Sequence, residues 1–138
     1  MALLVPNAGE VVILQNFLNK VAPQDLVLKL YKNNHAPADG DTEASYTEAD
    51  FSGYSAASLA GANWAITGGA PSEADYPQQT FTSDANQTAQ NIYGYFIVQA
   101  TSGKLMWAEQ FPSGPYPISN AGDAIKVTPK IQLKKQGE

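Results

Sequence analysis

Carboxylates are the side chains best placed to do chemistry, because the chain has one histidine and no cysteine. Glu48 lies two residues before Asp50, and Glu73 lies two residues before Asp75. Paired carboxylates can hydrolyse a glycosidic bond when they flank it at a suitable separation. The sequence fixes no second group at a reactive distance from Glu48, Asp50 or Glu109, so a glycosidase or lyase is the weakest of the functions that we consider.

Both acidic pairs also fit a structural role at the start of a turn or short helix. Thr47 directly precedes the first pair and Ser72 directly precedes the second. Threonine and serine cap helix N-termini, and acidic side chains in the first turn complement the positive end of the helix dipole. We therefore expect turns or helix starts at both places.

The remaining motifs for catalysis or cofactor binding are missing from the sequence. His35 lies in a polar loop after a predicted strand, and a metal site or catalytic dyad built on it would need partners from elsewhere, so we expect an exposed loop histidine. The lack of cysteine excludes disulfides, thiolate nucleophiles and most structural zinc sites. No nucleophile elbow, Walker loop or dinucleotide fingerprint is found. We predict no catalytic residue, no metal site and no cofactor.

Size and charge narrow the class of protein further. The 138 residues are enough for one domain with a proper core. The 8 basic and 13 acidic side chains give a net charge of −5, and Lys134-Lys135 is the only basic cluster, so we expect no nucleic-acid binding. The apolar run before Pro6 is too short for a signal peptide or a membrane span. We therefore expect that the chain is made in a cytosol and that it does not associate with a membrane.

The elements that must position these side chains are one helix and a series of strands. Apolar residues at spacings of three and four predict an amphipathic helix over Ala8–Val21, ended by Pro23: Val11, Val12, Leu14, Phe17, Leu18 and Val21. Alternating apolar residues predict a strand over Leu26–Tyr31. Residues 1–24 are thus expected as an N-terminal arm and helix, and residues 25–138 as a β-sandwich, within a single domain.

The second half of the chain is a succession of short β-prone runs separated by turn residues. Asn33–Ser45 is predicted to be a long surface loop. The predicted strands after it are Tyr54–Ala60, Asn63–Thr67, Gln78–Ser83, Asn91–Ala100, Leu105–Phe111, Tyr116–Ser119 and Ala124–Leu133. Such spacing, with turns and no helices between strands, indicates an antiparallel sandwich or barrel, and Pro129 inside the last run suggests an edge strand.

The aromatic stretch Tyr93–Phe111 is predicted to be a hairpin with Ser102-Gly103 as its two-residue loop. That register pairs Val98 with Trp107, Phe96 with Glu109 and Gly94 with Phe111. Both faces are then largely apolar, so something covers each of them. One face belongs to the core, and the other is covered by the helix, by the long loop or by another subunit. A buried Glu109 would need a partner or a position at the rim.

Several stretches, spread over nearly the whole chain, together resemble a family of small tailed-bacteriophage virion proteins. They are Met1–Glu10, Leu28–Asn33, Tyr46–Tyr54, Gln79–Phe81, Ile92–Phe96, Trp107–Phe111 and Gly122–Pro129. The resemblance implies an all-β fold, an antiparallel sandwich of jelly-roll type with one short N-terminal helix. It further implies a head decoration (cement) protein that sits as a homotrimer on the capsid surface and clamps neighbouring subunits of the major capsid protein. It carries no catalytic residue with it.

A protein that clamps capsid subunits needs an interface with them. The candidates are apolar residues beyond the number that one core-facing side of the sheet requires. They are Leu3, Leu4, Val5, Tyr93, Tyr95 and Trp107. The N-terminal arm, Met1–Val5, either packs on a neighbour or folds back on its own sandwich.

Two alternative functions remain at this point. The first keeps the virion but moves the protein to the tail or baseplate as an adaptor. The second is a glycan-binding β-sandwich that uses Tyr54 or Trp64 as a platform for sugars.

Overall fold

A computed structural model describes residues 4–133. This part of the chain is mostly β, with one α-helix, α1 (Asn7–Phe17), and eleven short strands, as the sequence predicts in outline. The strands are β1 (Leu26–Tyr31), β2 (Ala57–Leu59), β3 (Ala65–Thr67), β4 (Ser72–Asp75), β5 (Gln79–Thr82), β6 (Gln90–Ile92), β7 (Gly94–Gln99), β8 (Leu105–Gln110), β9 (Tyr116–Ile118), β10 (Ala124–Val127) and β11 (Lys130–Leu133).

The largest sheet has four antiparallel strands in the order β2-β1-β7-β8. The N-terminal arm pairs alongside the outer strand β8, because Leu4 and Ala108 exchange two backbone hydrogen bonds of 3.0 Å. At Leu4 the arm therefore folds back on its own sheet. This backbone pairing covers part of an otherwise open sheet edge.

Three smaller antiparallel sheets complete the fold: β11-β4-β3, β10-β5 and β6-β9. The segment Ser72–Asp75, expected as a turn or helix start, is strand β4, because it lies between β3 and β11 and pairs with both. The single strand expected from Ala124 to Leu133 is divided at Pro129, which has no backbone N–H. The buried Pro129 accepts instead, from the backbone N–H of Tyr76 at 2.9 Å.

The central hairpin forms, but its register differs by one residue from the expected one. Ile97 lies opposite Trp107 and Tyr95 lies opposite Glu109, and a bulge separates them from the pair Val98 and Leu105. The turn has four residues, closed by hydrogen bonds of 2.9 Å between Gln99 and both Lys104 and Gly103. Gly103 adopts a φ of 73°, which favours glycine and allows this longer turn.

The register decides which side chains share the core. Residues of the four-stranded sheet and of the smaller sheets pack into one cluster that includes Leu28, Leu30, Ile97, Phe81, Ile92, Ile118 and Ile125. The opposite face of the large sheet carries a second cluster with Phe96, Val98 and Leu105. Tyr46, the residue after the long loop, stacks on Phe96 with ring centroids 5.0 Å apart, and His35 of the loop contacts the Tyr46 ring. The long loop and Tyr46, both of the same chain, therefore cover the second face.

Gly94, which the expected register paired with Phe111, lies instead opposite Gln110 in β8 and beside the ring of Tyr31. Tyr31 pairs with Gly94 across β1 and β7. A Cβ atom at Gly94 would overlap the backbone carbonyl oxygen of Glu109 and come within 2.7 Å of the Tyr31 ring, so only glycine fits there.

Candidate functional site

Helix α1 and the turn after it present a row of apolar side chains to solvent. The exposed fractions are 53% for Val11, 59% for Leu14, 84% for Phe17, 60% for Leu18 and 43% for Val21. Residues three and four apart on a helix are neighbours, so the row forms one contiguous surface, called here the helix patch. Apolar side chains scattered singly on a surface are ordinary, whereas a contiguous set marks an interaction site.

The patch is exposed because the helix docks through its other side. The backbone of Gly9 lies so close to Met106 in β8 that a Cβ atom would overlap the Met106 carbonyl. Val12 is 3% exposed and joins the core, and the Asn7 N–H donates to the carbonyl oxygen of Asp39 at 3.0 Å. These contacts fix the N-terminal half of the helix and orient the apolar row away from the protein.

The helix also ends earlier than expected. It stops at Phe17, and Asn19 adopts a left-handed φ of 56°, which is a common way to end a helix. The backbone N–H groups of Lys20 and Val21 both donate to the carbonyl oxygen of Gln15. The chain therefore turns at Asn19, well before Pro23, and Val21 stays beside the last turn of the helix.

The residues expected at an interface fall into three groups. Tyr95 and Trp107 are 5% and 3% exposed and belong to the core, so their side chains are unavailable to a partner, contrary to the expectation. Leu4, Val5 and Tyr93 are half-buried, and Leu3 lies outside the described residues. The apolar excess counted in the sequence is thus absorbed mainly by packing within the chain.

The residues of the helix patch are evident in the sequence, but their spacing predicts the core-facing side of an amphipathic helix. The side of the helix that docks on the protein instead carries Gly9 and Val12, three residues apart. A glycine at that spacing from a small apolar residue is the signal that would have indicated close helix packing on the other face.

A second group of functional side chains lies in the long loop and at Tyr46, the residue after it. Nε2 of His35 is 2.8 Å from Oδ2 of Asp41, and the Tyr46 hydroxyl donates to the same oxygen at 2.7 Å. The Ala38 N–H also donates to it, at 2.9 Å. His35 is therefore a half-buried member of a hydrogen-bonded cluster and not the free loop histidine that was expected, because the loop folds over the sheet.

The electrostatics of this cluster favour an ionised Asp41. Burial by itself raises the pKa of Asp41, but the hydrogen bonds from Tyr46, Ala38 and His35 outweigh it and hold the pKa below its ordinary value. Burial and the neighbouring Asp41 carboxylate raise the pKa of the Tyr46 hydroxyl. A neutral tyrosine donating to a carboxylate is a stable pair, and it fastens the loop to the sheet through the Tyr46 ring.

Two of the three carboxylates considered for catalysis, Glu48 and Asp50, have structural partners. Oε2 of Glu48 lies 3.3 Å from Nζ of Lys29, and Oε1 of Glu48 accepts a hydrogen bond from the Tyr54 hydroxyl. Oδ1 of Asp50 lies 2.7 Å from Nζ of Lys32. Burial raises the pKa of Glu109, which is half-buried on β8 opposite Tyr95. Within residues 4–133, no three of the side chains that bind metals lie close enough together to hold an ion.

The two residues expected as sugar platforms are packed against the core. The Tyr54 hydroxyl accepts from the Leu30 N–H at 3.2 Å, and its ring lies 5.7 Å from that of Phe81. The Trp64 ring contacts the rings of Tyr76 and Trp107 edge-on. Both residues are half-buried, so part of each ring is already in contact with the core.

Over the described part of the chain, no helix has the length and apolar character needed to cross a membrane. Comparisons of the sequence with protein-family models and with curated proteins give no match.

Proposed function

We propose that this chain is a structural protein of a bacteriophage virion, a head decoration protein that binds the major capsid protein and stabilises the head without catalysis. The resemblance of its sequence to small tailed-phage proteins supports the class of protein. The observation that carries the mode of action is the helix patch, whose central residue, Phe17, is 84% exposed. A side chain of that size is exposed at a cost unless a partner covers it.

The mechanism is a clamp. A rigid domain that buries the helix patch against a capsid subunit removes apolar surface from water, at roughly 25 cal/mol per Å². The helix is suited to this because Gly9, Val12 and the Leu4–Ala108 pairing hold it at a fixed angle on β8. Repetition of the contact around a symmetric shell multiplies its effect.

We also infer a jelly-roll topology, which is the fold that the resemblance implies. Strand β7 pairs with β8, β6 with β9, β5 with β10 and β4 with β11. These nested antiparallel pairs are those of one long hairpin that has been rolled up, and jelly rolls manage their sheet edges in this way. We further propose that the decoration protein assembles as a homotrimer on the capsid surface after synthesis in the bacterial cytoplasm.

The experiment is a binding assay with purified heads that lack the protein. Phage heads are mixed with the wild-type chain or with the double variant Leu14→Asp/Phe17→Asp, and bound protein is measured after sedimentation. We expect the double variant to remain folded and to lose binding. Ile66→Asp is the matched control, because Ile66 is 79% exposed but lies on β3, in a sheet that does not include β8.

Full head binding by the double variant would contradict the role of the helix patch. Failure of the wild-type chain to bind heads, together with labelling of the tail in electron micrographs of intact particles, would favour a tail or baseplate adaptor instead.

A further inference from the structure

A groove of about 520 Å³ opens between strands β9 and β10, on a part of the protein that the proposed clamp does not use. Its volume lies within the usual range for small-ligand sites. The apolar part of its lining includes the buried Ile118 and Ile125, each from one strand. Phe111 and Tyr116 contribute aromatic rings, and Asp123 and Lys126 contribute charged groups.

The groove exists because neighbouring strands of the chain do not pair here. Strand β9 pairs with β6 and β10 pairs with β5, so the two strands diverge from the loop that joins them. Oδ2 of Asp123 accepts from the backbone N–H groups of Ser119 and Asn120, at 3.0 and 2.9 Å. The loop is therefore fixed, and it closes one end of the groove.

The aromatic side of the groove suits a ligand with flat apolar faces. Tyr116 is 41% exposed, the largest exposed fraction of a tyrosine in the described chain. Its ring lies 5.5 Å from that of Phe111, at an interplanar angle of 53°. Because the two rings are inclined to each other, the ring of a small ligand can stack on the face of one of them and contact the edge of the second.

The polar side of the groove suits a ligand that both donates and accepts hydrogen bonds. Backbone N–H groups hold the pKa of Asp123 below its ordinary value, so its carboxylate accepts only. The ammonium group of Lys126, exposed on β10, donates only. Neighbouring hydroxyl groups can satisfy both, because each hydroxyl donates one hydrogen bond and accepts others.

We propose that this groove binds a neutral carbohydrate, with a pyranose ring stacked on Tyr116 and its hydroxyls between Asp123 and Lys126. The net charge of −5 disfavours an anionic polysaccharide. A second cavity of about 280 Å³ shares Phe111 with the groove and has Asn34, Tyr93 and Gln110 in its lining. It provides a subsite for a neighbouring sugar of the same chain. The proposal does not depend on capsid binding.

A gap between two strands can also accept an extended peptide as an added strand. This groove is less suited to a peptide than to a sugar, for two reasons. The Ser119–Asp123 loop blocks a strand from passing through, and Pro117, in the middle of β9, has no N–H to donate to an added strand.

The test is a titration of the ¹⁵N-labelled full chain with neutral oligosaccharides, monitored by NMR. The probes are maltohexaose, cellohexaose, a mannan oligosaccharide and chitotetraose, each up to about 10 mM, a range that detects weak binding. We expect at least one probe to shift resonances of residues that line the groove. Tyr116→Ala should weaken that binding about tenfold, the value of one good aromatic contact.

Two further variants separate binding from folding. Lys126→Ala should also weaken binding, whereas Lys104→Ala, an exposed lysine in the hairpin between β7 and β8, should leave it unchanged. The proposal is overturned if no probe binds the wild-type chain, or if binding is unaffected by Tyr116→Ala and Lys126→Ala. Shifts in the groove with a proline-rich peptide but with no sugar would overturn it in favour of a peptide site.

Discussion

Gly9 of the helix lies directly against the carbonyl group of Met106 in β8, with no room for a Cβ atom between them. This contact fixes which side of the helix faces the protein. Because Gly9 occupies the docking side, the larger apolar residues of the helix are left on the outside, where they form the helix patch.

Replacement of Gly9 by alanine should therefore push the helix away from β8. The new methyl group meets rigid backbone, which cannot move aside, so we expect a loss of about 1–3 kcal/mol in the free energy of unfolding. Urea denaturation measures it. Gly68→Ala is the control, since nothing lies within 4 Å of a Cβ atom there. An unchanged stability of Gly9→Ala would mean that the helix is not seated as described.

The loop cluster leads to a second prediction, at Tyr46. Tyr46→Phe keeps the ring that stacks on Phe96 but removes the hydroxyl that donates to Asp41. The buried carboxylate then lacks one of its donors, and we expect a loss of about 1–3 kcal/mol in the free energy of unfolding. Tyr116→Phe changes the same group at a surface position and should have little effect. Equal effects of the two substitutions would contradict the role of the Tyr46 hydroxyl.

The third prediction concerns stability in acid. The pKa of Asp41 is lower in the folded chain than its ordinary value of 3.8, so the unfolded chain binds more protons in the acid range. The stabilisation by Asp41 is complete above that ordinary value and is lost as the pH falls through the lower folded pKa. Urea denaturation at a series of pH values below about 5 should show this decline, and Asp41→Asn should make it less steep, while other carboxyl groups with lowered pKa values, such as Asp123, keep their share. A variant with the wild-type slope would exclude Asp41 as one of its sources.

Much of this fold can be predicted from alternation alone. Strand β1 has the predicted bounds, because Leu26, Leu28 and Leu30 all point to one side. The hairpin was also predictable, but its register depends on the conformation of Gly103 and on a bulge beside Ile97, which the sequence does not reveal. A slip of one residue moves side chains to the other face.

The site was harder to predict for a related reason. A periodic apolar row shows that a helix has two unlike sides, but not which side faces the protein. The contact between Gly9 and Met106 determines which side of the helix docks, and Met106 lies in β8, far along the chain. The partnership of His35 with Asp41 likewise depends on how the loop folds over the sheet, since neither residue type predicts it.

The last prediction concerns the solution mass. We expect light scattering after size-exclusion chromatography to give three times the 14.7 kDa of one chain, as the proposed homotrimer requires. Because the helix patch is assigned to the capsid, Leu14→Asp/Phe17→Asp should leave that mass unchanged while it abolishes head binding. A wild-type monomer would contradict the trimer. A wild-type trimer that the double variant converts to a monomer would assign the helix patch to contacts between copies, because charges introduced into an apolar interface prevent its burial.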